Sequence, residues 1–180
     1  IRDVERSRGL GDVYKRQAFY GEKEAVTVSF HQDPNTLYPF LTGYLEEDGG
    51  GYNYNIPLLK GSGDKSFIHT AEVLLPLLFE KVRPEVIIVQ MGVDGYCEDS
   101  IGGLNLSMKS YDYISNLIGR LSEKFDTNIL ALGGGGFVYP YLEHAWDMEI
   151  KNFAQIKHNY EKEIHKSEKK CNEYAFDSEG

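Results

Sequence analysis

The residue with the clearest chemical promise is Asp94, in the run Met91-Gly92-Val93-Asp94-Gly95-Tyr96-Cys97-Glu98-Asp99. It stands four residues beyond Gln90, the end of the apolar stretch Glu85–Gln90. A carboxylate held just past a buried strand can ligate a metal or act as a general base. The same spacing also suits an aspartate that caps a turn or a helix. The second feature is the run Gly133-Gly134-Gly135-Gly136, whose backbone can pass close to a ligand or to another segment. Phe137 follows it, where a phosphate cradle would need Gly-Lys-Ser/Thr or a GxGxxG spacing, so no nucleotide site is expected. The third is His31, which ends an apolar run. Alone, it fits a satisfied structural histidine better than a ligand or proton carrier. Cys97 and Cys171 lie in unrelated contexts without a CxxC, so neither a disulfide framework nor a cysteine zinc site is expected.

These residues need elements to hold them. Ala25–Phe30 is β-branched and short, which predicts a buried strand. Residues 32–51 hold Pro34, Pro39, Gly43 and the acidic-to-glycine run Glu46–Gly51, and read as a long surface loop. Tyr52–Pro57 reads as another short strand. Asp64 is placed as the N-cap of a helix with an apolar stripe through Phe67, Ala71, Leu74, Leu75, Leu78 and Phe79. Glu85–Gln90 and Asn128–Leu132 read as continuous apolar strands of the kind buried on both faces of a parallel sheet. A helix over Ser110–Phe125 separates them. This strand and helix alternation predicts an α/β fold with a parallel sheet, whose ligands sit beyond the carboxyl ends of the strands. Asp94 and the glycine run both lie there. Lys157–Lys170 alternates Lys and Glu around His158 and His165, and reads as a solvated helix with i,i+4 charge pairs.

The 180 residues carry 19 Lys+Arg against 28 Asp+Glu, a net charge of −9, and residues 18–150 hold more than all of that excess. So acidic a surface repels a phosphate backbone, which excludes a nucleic-acid reader, but suits cationic partners such as Lys-rich peptides or polyamines. Val86–Val89 and Ala71–Phe79, the longest apolar stretches, fall short of the ~20 residues that span a bilayer. No membrane association is expected. No signal peptide is visible in a chain that starts at Ile1, and the cytoplasm is the expected compartment. Nothing in the sequence sets an oligomeric state.

Taken in order, Val28-Ser29-Phe30-His31, Leu37-Tyr38-Pro39 with Thr42-Gly43, Val89–Asp94 with Glu98-Asp99, Asn105-Leu106-Ser107 and Leu132–Gly136 resemble the histone deacetylase superfamily. The bacterial acetoin-utilisation type is the nearest flavour. The resemblance runs from about Ala18 to about Ile150. It implies the arginase/deacetylase fold, an α/β fold with a parallel sheet and helices on both faces, of which this chain is roughly the second half, truncated on the N-terminal side. It divides the chain into residues 1–17, a deacetylase part at 18–155 and a charged helical tail at 156–180. The resemblance further implies that Asp94 is the second aspartate ligand of a catalytic zinc. Ser29 and Phe30 fall where oxygens help hold a structural potassium. Phe19, Glu22, Ala25 and Tyr52 fall where carbonyls surround a second alkali ion. Tyr38 matches an aromatic wall of the acetyl-lysine channel, Gly134, Gly135 and Gly136 the loop lining the pocket, and Asp99 a supporting carboxylate.

Two departures from the family pattern stand out. The family places Asp-x-His-His-Gly-Asp-Gly just upstream of the Ala18-Phe19-Tyr20 equivalent. Here Gly11–Gln17 occupies that place, and Gly9–Gln17 resembles translated adapter sequence at the edge of a sequencing read. Phe137 stands where the family usually has a tyrosine that donates to the developing oxyanion, a loss that typically costs ~10²–10³ in rate. Tyr139, two residues on, could offer a substitute hydroxyl, although a packing role suits it better. The activity implied for the parent protein is metal-assisted hydrolysis of an acetyl amide, from acetyl-lysine peptides, acetylated polyamines or other small amides. Zinc is the default metal, and a carboxylate–imidazole site also accepts Fe²⁺. Two readings compete: a deacetylase-like module that binds acetylated ligands without turnover, and, last, a two-manganese ureohydrolase of the same fold, whose Asp-x-Asp-x-x-Asp-Pro pattern Asp94–Ser100 lacks.

Overall fold

The computed structural model describes residues 19, 24–37, 40, 42–136, 138 and 141–177. Two units, divided between Lys60 and Gly61, make up the chain. In the first, β1 (Thr27–Gln32) pairs in parallel with β2 (Asn53–Leu58), with Thr27 opposite Asn53 and Gln32 opposite Leu58. The strands are displaced by a residue or two from the stretches expected of them. The connection between them is wired by its own polar groups. The Asp48 carbonyl accepts from the amides of Gly51, Tyr52 and Asn53 at 2.9–3.1 Å, and Glu47 Oε2 accepts from Thr42 Oγ1 and the Gly43 amide at 2.6 and 2.9 Å. These bonds satisfy backbone groups in a long connection whose described residues form neither helix nor strand.

The second unit begins with α1 (Asp64–Val82), whose Phe67, Ala71, Leu75 and Phe79 recur every fourth residue and are buried. A left-handed Arg83 closes it, its amide bonded to the Phe79 carbonyl, and Pro84 prevents continuation. Asp64 is not the cap of its own helix. Gly63 holds that position, and the Asp64 carboxylate instead accepts from Ser107 N, Ser107 Oγ and Ser110 Oγ at 2.6–2.8 Å. Those serines open α2 (Met108–Phe125), so one carboxylate ties the starts of two helices together.

The strands β3 (Val86–Met91) and β4 (Asn128–Gly133) are parallel, with Val86 opposite Asn128 and Met91 opposite Gly133. Both therefore end at one level. Burial on both faces, expected from their unbroken apolar sequence, is not observed. Val86, Ile88, Leu130 and Leu132 are 40–64 % exposed while Ile87, Val89, Ile129 and Ala131 turn inward. The pleat sends alternate side chains to opposite faces, and within this unit the described residues cover the face that carries Ile87, Val89, Ile129 and Ala131.

Two helices complete the unit. The helix α3 (Tyr141–Phe153), which the sequence pattern does not predict, packs on α2 through Leu142, Ala145 and Met148. Its buried Asn152 donates to Asp112 Oδ1 and Ser115 Oγ, both at 2.9 Å. Next comes α4 (Glu161–Asp177). Contrary to the solvated tail expected, α4 is docked: Ser167 and Cys171 are buried, and Ser167 Oγ accepts the first-turn amide of α2 at Met108. His158 precedes α4 and lies 3.0 Å from Asp112 Oδ1 rather than on a solvated helix. Among the described residues no helix is long and apolar enough to cross a membrane.

Candidate functional site

Because β3 and β4 end together, the loops that follow them leave the sheet side by side. The Val93 amide donates to the Gly135 carbonyl at 2.8 Å, which stitches the two loops backbone to backbone. A methyl group placed on Gly135 would stand 2.8 Å from Asp94 Oδ2, and one on Gly136 would stand 2.7 Å from the Val93 carbonyl carbon. Gly136 also has φ +95°, which side chains other than glycine rarely adopt. The Asp94 carboxylate thus lies directly against the glycine run, and the residue is exposed. A charged oxygen pair at an open sheet end, walled by bare backbone, can meet a cation or a proton donor of a small ligand.

The rest of the loop is closely held. Asp99 Oδ1 accepts from the amides of Ile101 and Gly102 at 2.9 Å each, and Gly102 packs against the Asp94 carbonyl. Cys97 N bonds to the Leu106 carbonyl and Leu106 N to that of Gly95. Cys97 and Cys171, expected to be unrelated, are joined by a disulfide across 74 residues. No local pattern marks the pair, because the docking of α4 brings them together. Trp146 of α3 donates its indole N–H to the Met91 carbonyl at 2.9 Å, fixing the strand end from which the loop departs.

Behind the loop, Val93, Tyr96, Met108, Tyr111, Leu142 and Ala145 line a small apolar cavity. Burial raises the Tyr111 hydroxyl well above its ordinary pKa, and the charges of Asp94 and Glu149 add to the effect. Glu149, a buried residue of α3 that the sequence did not single out, is pushed up to about 8 by burial, and its Oε2 has no hydrogen-bond partner among the described residues. Its signal was an acidic residue one helical turn past Ala145, on the inward face of α3.

In the first unit, His31 Nε2 lies 2.8 Å from the Gly43 carbonyl, so it carries the proton. Nδ1, 2.9 Å from Ser29 Oγ, then accepts from the serine. Both ring nitrogens are used, as the structural reading of this histidine expects. Of the residues matched to alkali ions, Ser29 and Phe30 lie in β1, the Tyr52 carbonyl accepts from the Thr27 amide, Ala25 is half-buried and Phe19 is exposed. Glu22, Tyr38, Phe137, Tyr139 and residues 1–17 lie outside the described residues.

Catalytic zinc takes three protein ligands and an open position. Among the described residues no three His, Cys, Asp or Glu side chains gather in a group that could hold a metal ion. Asp94 is a single donor, and the described residues do not fit a complete metal site.

Comparison with known proteins places this arrangement. The fold is that of the arginase/deacetylase class: the chain matches the crystal structure of an HDAC homolog complexed with SAHA with a TM-score of 0.69 and 33% identity, over 81% of this chain and 39% of that one. Acetylpolyamine aminohydrolase from Burkholderia pseudomallei shares the fold at a TM-score of 0.70 and 24% identity, over 79% of this chain and 42% of that one. The histone deacetylase domain matches residues 12–153, and the chain belongs to that family. Histone deacetylase B of Dictyostelium discoideum is 30% identical over 150 residues, 81% of this chain and 34% of the relative. The chain therefore spans about a third of the length of that relative.

Proposed function

We infer that this chain is the part of a metal-dependent deacetylase-type amidohydrolase, of bacterial acetoin-utilisation flavour, that supplies one metal donor and one wall of the acetyl pocket. The observation that carries this reading is the Asp94 carboxylate lying against the Gly135 backbone at the shared carboxyl end of β3 and β4. In it Asp94 is the donor and Gly134–Gly136 flank the acetyl group. Ser29, Phe30, Phe19, Glu22, Ala25 and Tyr52 offer oxygens to potassium. The metal of the whole protein is zinc or ferrous iron. Acetylated lysine in a peptide or an acetylated polyamine is the substrate class, and the net charge of −9 favours the neighbouring lysines or free amines that stay protonated in such molecules. The cytoplasm is the compartment in this reading. Phe137 favours a second reading, an acetyl-ligand-binding module, because phenylalanine offers no hydrogen bond to an oxyanion.

The 180-residue chain is expected to hydrolyse a fluorogenic acetyl-lysine peptide, with zinc or iron added, no faster than its Asp94→Ala variant. Turnover above that level would mean that another residue completes the site. A full-length protein carrying residues 18–155 is expected to release acetate from that peptide or from an acetylated polyamine, and to lose at least ~10²-fold in rate on Asp94→Ala. Phe137→Tyr in the same protein is expected to raise kcat by ~10²–10³. Binding of acetylated ligand with no acetate released by either form would replace the hydrolase reading with the binding module.

A further inference from the structure

Helix α4 begins at Glu161, beyond the 12–153 span of the family match, and yet it is fastened to the loop that carries Asp94. Several attachments converge there. Cys171 is disulfide-bonded to Cys97, and the Lys170 ammonium lies 2.5 Å from Glu98 Oε1. The Asn105 side-chain amide donates to the Cys171 carbonyl at 3.1 Å, and Ser167 takes the Met108 amide where the loop enters α2. Without the disulfide, what remains is two partly exposed ion pairs, Lys170 to Glu98 and Lys109 to Glu168, two neutral hydrogen bonds and a long one from the exposed Tyr174 hydroxyl to Glu98, each worth little against the conformational freedom that α4 would regain. The loop's own bonds, Cys97 to Leu106 and Leu106 to Gly95, surround the tethered cysteine.

We propose that the Cys97–Cys171 bond is a reducible clasp, by which α4 holds the Asp94 loop in one conformation and thiol–disulfide exchange with a dithiol releases it. Cys97 is half-buried and Cys171 is buried, so the attacking thiolate meets the Cys97 sulfur. The S–S bond breaks, its electron pair leaves on Cys171, and a mixed disulfide forms on Cys97. The second thiol of the reductant then displaces Cys97. Two electrons and two protons pass to the protein, which ends with two thiols, and the dithiol ends as a disulfide. In a reducing compartment such a bond acts as a sensor, and in an oxidising one it is a permanent staple. The consequence for ligand binding rests on the reading of Asp94 given above, but the loop's release does not.

The test is amide hydrogen exchange on the full 180-residue chain, before and after reduction by dithiothreitol, with alkylation counting the thiols. On reduction, exchange across residues 95–108 and 161–177 is expected to speed up at least tenfold while β3 and β4 keep their protection. The Cys171→Ser variant without reductant should match the reduced chain. Unchanged exchange in a chain that alkylates at both cysteines would overturn the clasp. Loss of protection throughout β3 and β4 would also overturn it, making the bond a staple of the whole unit. The readout needs no metal or substrate, so an inert Asp94 site would leave it intact.

Discussion

The two parallel strand pairs have equal lengths and opposite relations between sequence and burial. β1 and β2 read TVSFHQ and NYNIPL, yet Asn53, Asn55, Ile56 and Leu58 are all buried. β3 and β4 read VIIVQM and NILALG, yet Val86, Ile88, Leu130 and Leu132 face outward. The more polar pair is the better covered. Its asparagines are tolerated inside because they are partnered: Asn55 Nδ2 donates to the Tyr44 carbonyl at 2.9 Å, and Asn53 Oδ1 accepts from Thr27 Oγ1 at 2.6 Å. Cover and hydrogen-bond partners, rather than composition, decide what a strand buries in this chain.

A buried polar group with an unpartnered atom should behave differently from those asparagines. The folded state holds the Glu149 proton up to about pH 8, whereas the unfolded chain releases it near pH 4.5, so stability falls as pH rises through that window. Over it the loss should be on the order of 3–5 kcal/mol. Urea unfolding at pH 5 and pH 8 should show this loss in the parent chain and a flatter profile in Glu149→Gln. Equal pH dependence in both would show that the carboxyl is solvated. Next in size is Ile56→Ala in β2, which should cost about 2–4 kcal/mol by the same measurement. Asn55→Ala should cost about 1–3 kcal/mol, since it leaves the Tyr44 carbonyl without that donor. The smallest effect belongs to the mirror case. Ile88→Ala, an identical change in an apolar strand, should cost less than ~0.5 kcal/mol because Ile88 is 64 % exposed. A cost above 2 kcal/mol at Ile88 would mean that its face is covered in solution, and would break the contrast between the two pairs.

Much of this was readable from periodicity. The four strands, α1, α2 and the meeting of the Asp94 and glycine loops follow from apolar runs separated by helical stripes, and the bounds differ by one or two residues at most ends. What escaped the sequence was long-range. Asp64 looked like the cap of its own helix because it precedes an apolar stripe, but its oxygens are spent on serines more than 40 residues away. The helix α3 was hidden because its inward face carries Glu149 and Asn152 among the apolar positions. The docking of α4 was masked by its charge, since the contacts that matter are Ser167 and Cys171 rather than a hydrophobic stripe. The Asp94 neighbourhood was legible because strand ends are local features. Its fastening to the C-terminal helix was not, because a pair of cysteines 74 residues apart carries no pattern.

Four consecutive glycines would be classed, by composition, as a flexible linker. Here only Gly133 has open space around it. A side chain on Gly134 would run into the backbone of Gly92, and those on Gly135 and Gly136 into Asp94 and Val93. The run is a seam of zero thickness between two strand ends, and Gly134, Gly135 and Gly136 fit there for lack of room rather than for freedom of motion. Any residue from alanine upward at Gly134, Gly135 or Gly136 would have to push the Asp94 loop outward. The width of the cleft at this level is thus set by atoms that are missing, and enlarging a side chain in the seam would open it rather than fill it.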